Sequence, residues 1–199
     1  VQASQTIASF WLPRHLVAFR RAHPQIDVRL SIGNTAQVAA ATHAGVAELG
    51  FVEGEITDSA LVSRPIARDE MIVVVGAEHP WIGRETVTAK EFIDTEWVLR
   101  EQGSGTRSMF EQAMTGFGVA PNSLRIALEL PSNEAVRSAV EAGMGATAIS
   151  ASVAASGIEA GLLYHVPFKL PDRHFHVLHH AERHPSRVAE ELLQMISGR

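Results

Sequence analysis

The sequence predicts an α/β fold built as two lobes, and three observations point to it. Short apolar, β-branched runs alternate with helical stretches along the chain, the pattern of strands interleaved with helices and of a largely parallel sheet. The run Met71-Ile-Val-Val-Val75 is apolar throughout, which suits a strand covered on both faces. Glu78-His79-Pro80-Trp81 looks like an exit from a first sheet, and 173–180 supplies a late strand to return to it. Two lobes joined by two crossing segments follow, with a ligand cleft as the usual site in such a body.

Strands are predicted at 26–32, 49–52, 71–75, 97–99, 124–128, 146–149 and 175–178. The first helix covers 6–22. Ile7, Phe10, Trp11, Leu16 and Phe19 form its apolar stripe. Pro13 inside it removes one N–H and should kink it, and His23-Pro24 stops it. A second helix covers 36–43 and ends at Gly45, a favourable residue just past a helix end. A third follows Gly103-Ser104-Gly105 and ends near Gly116. A fourth covers 133–142 and stops at Gly143. The last, over 186–196, begins behind Pro185 and packs on the first lobe.

Composition narrows the function classes. The 199 residues are 46% apolar and 20% charged, with no cysteine and a formal net charge of -5. Disorder is excluded, as are a disulfide framework and cysteine-rich structural zinc. The acidic balance argues against a nucleic-acid-binding surface on this piece. No apolar run approaches the roughly 20 residues of a membrane span. The chain opens on Val1 rather than Met, so a processed terminus or an excised fragment is expected.

Three strand-to-helix junctions share one chemistry. They are Ala3-Ser4-Gln5-Thr6, Gly33-Asn34-Thr35 and Gly103-Ser104-Gly105-Thr106-Arg107, and Pro131-Ser132-Asn133 makes a fourth candidate. Each sets small hydroxyl or amide residues at a helix start, where unpaired N–H groups and the positive dipole end favour an anion. Ser, Thr and Asn are also ordinary N-caps. Their expected position at the carboxyl ends of strands strengthens the ligand reading. The Gly-Ser-Gly segment lacks the Gly-Lys-Ser/Thr ending of a phosphate loop and the spacing of a nucleophile elbow. Arg100 and Glu101 flank it, and an ion pair explains them better than acid catalysis. His174, His176 and His180 alternate on one strand face, which reads as a polar face rather than a metal site. No catalytic, metal or cofactor residues are assigned.

At these junctions the sequence resembles the C-terminal effector-binding domain of LysR-type transcriptional regulators. The resemblance rests on Ala3-Ser4-Gln5-Thr6-Ile7, Leu12-Pro13, Phe19-Arg20-Arg21-Ala22-His23-Pro24 and Gly45-Val-Ala-Glu-Leu-Gly-Phe51. It continues through Glu78-His79-Pro80-Trp81, Arg100 to Arg107, and Val140-Glu-Ala-Gly-Met-Gly145. Glu48 stands where the family commonly has Asp. The order and spacing cover essentially the whole chain.

The resemblance implies a periplasmic-binding-protein type 2-like fold, with lobe I at 1–76 and 177–199 and lobe II at 77–176. It implies a small, anionic effector bound by Ser4, Gln5 and Thr6, by Asn34 and Thr35, by Ser104, Gly105 and Thr106, and by Ser132 and Asn133. These residues would bind rather than catalyse, and Arg107 is held only as a charge partner. It further implies a cytoplasmic dimer or tetramer that meets promoter DNA through an N-terminal winged helix-turn-helix absent from this chain. The first helix and a second-lobe helix are the expected contacts, although Phe10, Trp11 and Phe19 fit a core better. An extracytoplasmic solute-binding protein, or an enzyme on this fold, remains the rival expectation.

Overall fold

The computed structural model describes residues 1–198. The chain divides into two compact units: Val1–Arg68 with the segment from His174 onward, and Asp69–Arg173.

The first unit contains strands β1 (Gln2–Ser4), β2 (Ser31–Gly33), β3 (Gly50–Glu53), β4 (Leu61–Asp69, which ends on the first residue of the second unit) and β10 (Arg173–His180, which begins on its last). They lie in the order β2-β1-β3-β10-β4. β1 runs parallel to β2 and β3, while β10 returns antiparallel to β3. Its helices are α1 (Leu12–Ala22), α2 (Thr35–His43) and α6 (Arg187–Ile196). Ile7, Leu12, Phe19, Phe51, Val177 and Leu192 share one core, which places α6 against α1 and one face of the sheet. Val38, Val52 and Leu178 form the core under α2 on the other face.

The second unit holds β5 (Met71–Gly76), β6 (Glu96–Arg100), β7 (Arg125–Leu130), β8 (Ala146–Ser150) and β9 (Leu163–Lys169) in the order β7-β6-β8-β5-β9. β6 is parallel to β7 and β8, and β5 is antiparallel to β8 and β9. Helices α3 (Gly105–Gly116), α4 (Asn133–Glu141) and α5 (Ala151–Glu159) cover it. Phe92, Trp97, Phe110 and Met114 pack on one face. Val98, Val136, Val140 and Ile149 pack on the other. Gly145 joins α4 to β8 at φ +56, and a Cβ there would sit 2.2 Å from the Glu96 carbonyl oxygen. Only glycine meets both demands.

Several expectations are corrected. The sheets are mixed rather than largely parallel, because β10 and β5 each return against their neighbours. The two compact units meet along the chain at 68/69 and 173/174. Met71–Gly76 is fully buried as predicted, but it pairs in the second sheet. An apolar run reports burial on both faces and says nothing of which neighbours cover it.

The strand predicted at 26–32 shrinks to Ser31–Gly33, because its partner β1 offers only three residues to the ladder. β4 and β9 escape the hydrophobic pattern. Both contain a proline, Pro65 and Pro167, and both are the outermost strands of their sheets, where a missing N–H is tolerated. The small residues of α5 hid it also. The first helix is irregular ahead of Pro13 rather than at it. Ile7–Trp11 is a π segment closed by the Leu12 N–H on the Ile7 carbonyl, and Pro13 then falls in the first turn of α1, where its missing N–H costs nothing.

The His79 ring is locked in one tautomer. Trp81 N–H donates to Nδ1 at 3.2 Å, and Nε2 lies 2.9 Å from the Thr95 hydroxyl. Nδ1 must therefore be unprotonated, with Nε2 carrying the hydrogen. Burial lowers the pKa of His79 below its usual 6.5. Burial also lowers those of His15 and His176. The unfolded chain then binds more protons in the interval just below 6.5, so stability rises with pH there. The contribution is complete above about 6.5 and is lost as pH falls through the folded-state values. The melting temperature is expected to drop between pH 7.5 and 5.5, and His79→Gln is expected to flatten that drop. An equal drop in the variant would remove His79 from the account.

Candidate functional site

In the first unit, the carboxyl ends of β1, β2 and β3 lie side by side. Ser4 pairs in register with Gly33, and Glu53 ends the next strand. Ser4 and Thr6 are buried. The Ser4 Oγ is enclosed and has no hydrogen-bond partner among the described residues. Nearly all buried polar groups in folded proteins are bonded, so an orphan hydroxyl at a strand end stands out.

Its neighbours are committed. The Asn34 Oδ1 accepts from Gln37 N–H at 3.0 Å, and the Gln37 side chain accepts in return from Asn34 N–H at 2.9 Å. This is a complete capping box on α2. Thr35 donates its hydroxyl hydrogen to the Glu53 carboxylate at 3.0 Å. Glu53 is itself buried, so this corner of the unit carries an acceptor as well as donors.

In the second unit, Gly103 at φ +88 turns the chain from β6 into α3. Ser104, Gly105 and Thr106 are buried at the helix start. Ser104 occupies the N-cap position without a side-chain cap bond. By contrast, Ser132, Ser150 and Ser186 each accept from the first turn of α4, α5 and α6. The first-turn N–H groups of α3 are thus not capped by the Ser104 side chain at the positive end of the helix dipole.

Arg107 turns away from this end. It pairs with Glu111 at 2.8 Å and with Glu129, and it donates to the Arg100 carbonyl at 3.0 Å. Arg100 is forked onto Glu101 at 2.8 and 2.9 Å and donates to Asn133 Oδ1 at 2.7 Å. The ion pair expected of Arg100 and Glu101 is present, with the guanidinium buried.

Arg173 was not anticipated. Its fully buried guanidinium meets Asp69 through Nε and Nη2, each 2.5 Å from Oδ2. Asp69 Oδ1 accepts from Ser150 Oγ at 2.7 Å. Arg173 Nη1 donates to Thr106 Oγ1 at 3.2 Å. The Thr106 hydroxyl oxygen is thus engaged as an acceptor. Asp69 and Arg173 are also the first and last residues of this unit, so the ion pair joins its two chain ends. Nothing in the sequence marks Arg173, because the partners lie 104 and 67 positions away.

Among the described residues, no group of three or more His, Cys, Asp or Glu side chains is placed to hold a metal ion. His176 instead shares a 3.0 Å hydrogen bond with Ser63, and His180 accepts from Glu182 N–H at 3.2 Å. No described helix is long and apolar enough to cross a membrane.

Two α/β units on mixed five-stranded sheets, each with polar helix starts at its parallel strand ends, define a periplasmic-binding-protein type 2-like fold. The LysR substrate binding domain model matches residues 1–199, and the chain belongs to that family of transcriptional-regulator domains. It is 31% identical over 195 residues to the HTH-type transcriptional regulator YeiE of Escherichia coli strain K12, covering 97% of this chain and 65% of that protein. It is 32% identical over 153 residues to the HTH-type transcriptional regulator CysL of Bacillus subtilis strain 168, covering 77% of this chain and 50% of that protein. The chain thus spans 50 to 65% of the length of these two curated relatives. Among solved structures it is similar to the Synechocystis PCC6803 CcmR regulatory domain in complex with 2-PG. The TM-score is 0.88 at 26% identity, over 99% of this chain and 94% of the other.

Proposed function

We propose that this domain senses a small anionic effector through the polar ends just described. Ser4, Gln5 and Thr6, framed by Asn34 and Thr35, act from the first unit. Ser104, Gly105 and Thr106, with Ser132 and Asn133 beside them, act from the second. The observation that carries this reading is the buried Ser4 hydroxyl without a partner. A ligand oxygen would satisfy it, and an uncapped α3 start would favour negative charge. The 2-PG complex of the similar CcmR domain supports a ligand-sensing role.

The relatives are transcriptional regulators, and we read this domain as non-catalytic and cytoplasmic. It would act as a dimer or tetramer, on promoter DNA bound by a helix-turn-helix elsewhere in the full protein. The effector would shift the regulator by its difference in affinity for two conformations.

The test is a thermal-shift series with sulfate, phosphate and 2-PG on the parent and on Ser4→Ala/Ser104→Ala. The Ser4 hydroxyl makes no internal bond and Ser104 makes no side-chain cap bond, so the unliganded variant should melt near the parent. A ligand at 100 times its Kd stabilises by about 2.7 kcal/mol, which corresponds to a rise of roughly 5–10 °C for a chain of this size. That rise should appear in the parent and vanish in the variant. A variant that responds like the parent overturns the site, and a parent that responds to none of the three overturns the anionic reading.

A further inference from the structure

Among the described residues, four charged ones are buried: Arg100, Arg107, Arg173 and Glu53. Each arginine meets a carboxylate, that of Glu101, Glu111 and Asp69 respectively. Glu53 has no cationic partner among the described residues. Its carboxylate receives one hydrogen bond, from the Thr35 hydroxyl to Oε2 at 3.0 Å. A carboxylate has room for about four such bonds, and burying one without a counter-charge is costly. The fold nevertheless fixes it there. Glu53 pairs with Phe175 of β10. Gly54, at φ +77, then turns the chain and donates to the His174 carbonyl at 3.0 Å. β1 and β3 are in register at Ala3 and Phe51. Glu53 therefore stands one residue beyond the level of the unpartnered Ser4 hydroxyl, on the adjacent strand about 4.8 Å away.

We infer that Glu53 selects, at the site proposed above, an anion that also carries an O–H group: a protonated oxyanion or a hydroxy acid. This rests on the anion-site reading and adds to it the chemistry of the ligand. The Ser4 hydroxyl donates to the charged end of such a ligand, and Glu53 accepts from its O–H. A carboxylate facing a fully deprotonated anion instead sets two negative charges together and leaves its own lone pairs unpaired. The donor must come from the ligand, because Thr35 fills one place on Oε2 and Oε1 takes no hydrogen bond from the described residues. A site built around a hydrogen bond to a ligand O–H rejects the analogue lacking it by about 10⁴-fold. The other three buried charges cannot filter in this way, since each is already opposed within the protein.

The test compares two pairs of probes matched in size, inorganic phosphate with sulfate and lactate with propionate, by titration calorimetry of the full chain at pH 7. Phosphate and lactate carry an O–H at this pH, and sulfate and propionate do not. The O–H member of at least one pair should bind at least about 100-fold more tightly than its partner. The pair that responds tells a protonated oxyanion from a hydroxy acid. Glu53→Gln should raise the affinity for the member without the O–H by about tenfold or more, because a neutral amide can donate where the carboxylate repels. A gain of binding cannot come from a loosened fold. Should the variant fail to fold, the ratios of the parent decide alone. Equal binding within the responding pair overturns the inference and leaves the anion site standing. So does tighter binding of sulfate or propionate, the result a protonated Glu53 would give, and so does a folded Glu53→Gln that keeps the parent's ratio. Binding of none of the four overturns the inference alone if 2-PG still stabilises the parent, and the site reading with it if 2-PG does not.

Discussion

Asp69→Ala is expected to destabilise the domain by about 3–5 kcal/mol, the loss that follows when one partner of a buried ion pair is removed. The Arg173 side chain is 0% exposed and the Asp69 side chain 6%. Without the carboxylate, a guanidinium stays buried with its charge unopposed, and Ser150 Oγ loses its acceptor at 2.7 Å. A charge cannot be carried into a low-dielectric interior without a partner. Urea unfolding at pH 7 measures the loss, and a melting point lower by on the order of 10 °C should accompany it. Asp69→Leu with Arg173→Met should recover most of the loss, because a well-packed apolar pair replaces a buried ion pair at little cost. A single-variant loss below about 1 kcal/mol, the range of exposed pairs, would show that water reaches the pair.

Trp97→Ala is expected to cost a similar amount, about 3–5 kcal/mol, through the cavity it leaves. Trp97 is 0% exposed in the core of the second unit. Its ring centroid lies 4.6 Å from that of Phe110 and 4.9 Å from that of Phe92. Its Nε1 donates to the Phe92 carbonyl at 2.8 Å. Trp97→Phe separates the two contributions. It keeps an aromatic filling and removes the donor, leaving a buried carbonyl unbonded at a cost of about 1–3 kcal/mol. Chemical denaturation of the three proteins under one condition orders them parent, Phe, Ala. Equal losses for Phe and Ala would show that the hydrogen bond dominates and that ring packing adds nothing.

Local pattern carried much of the fold. The stretches ending at Gly45, Gly116 and Gly143 became α2, α3 and α4 because the apolar stripe and the terminating glycine act within one or two turns. The buried strands β3, β5, β6 and β8 were legible for the same reason. β4 and β9 were not, because edge strands need neither strict alternation nor every N–H. The π segment before Pro13 was also hidden; its Trp11 ring lies 6.3 and 5.8 Å from those of Phe51 and Phe175, partners distant in the chain.

The polar helix starts were legible as a chemistry but not as a set of equals. Composition at Asn34, Ser104 and Ser132 is alike, yet Asn34 and Ser132 accept from their own helix turns while Ser104 does not. Ser4 stands apart because its hydroxyl is enclosed without a partner. Which hydroxyl is spent and which is spare depends on rotamer and neighbour, and neither is written in residue type.

The sequence by itself determined an α/β body in two parts, the helix starts that concentrate donors, and, through ordered motifs along the whole chain, the resemblance to LysR effector domains. These are properties of periodicity and of short motifs. Tertiary structure alone decided that Met71–Gly76 belongs to the second sheet. It also decided that Arg107 is neutralised by Glu111 and Glu129, and that Arg173 meets Asp69 across 104 positions to hold Thr106 by its oxygen. Each is a pairing between residues far apart in the chain, and only closing the loops that separate them makes the partners neighbours.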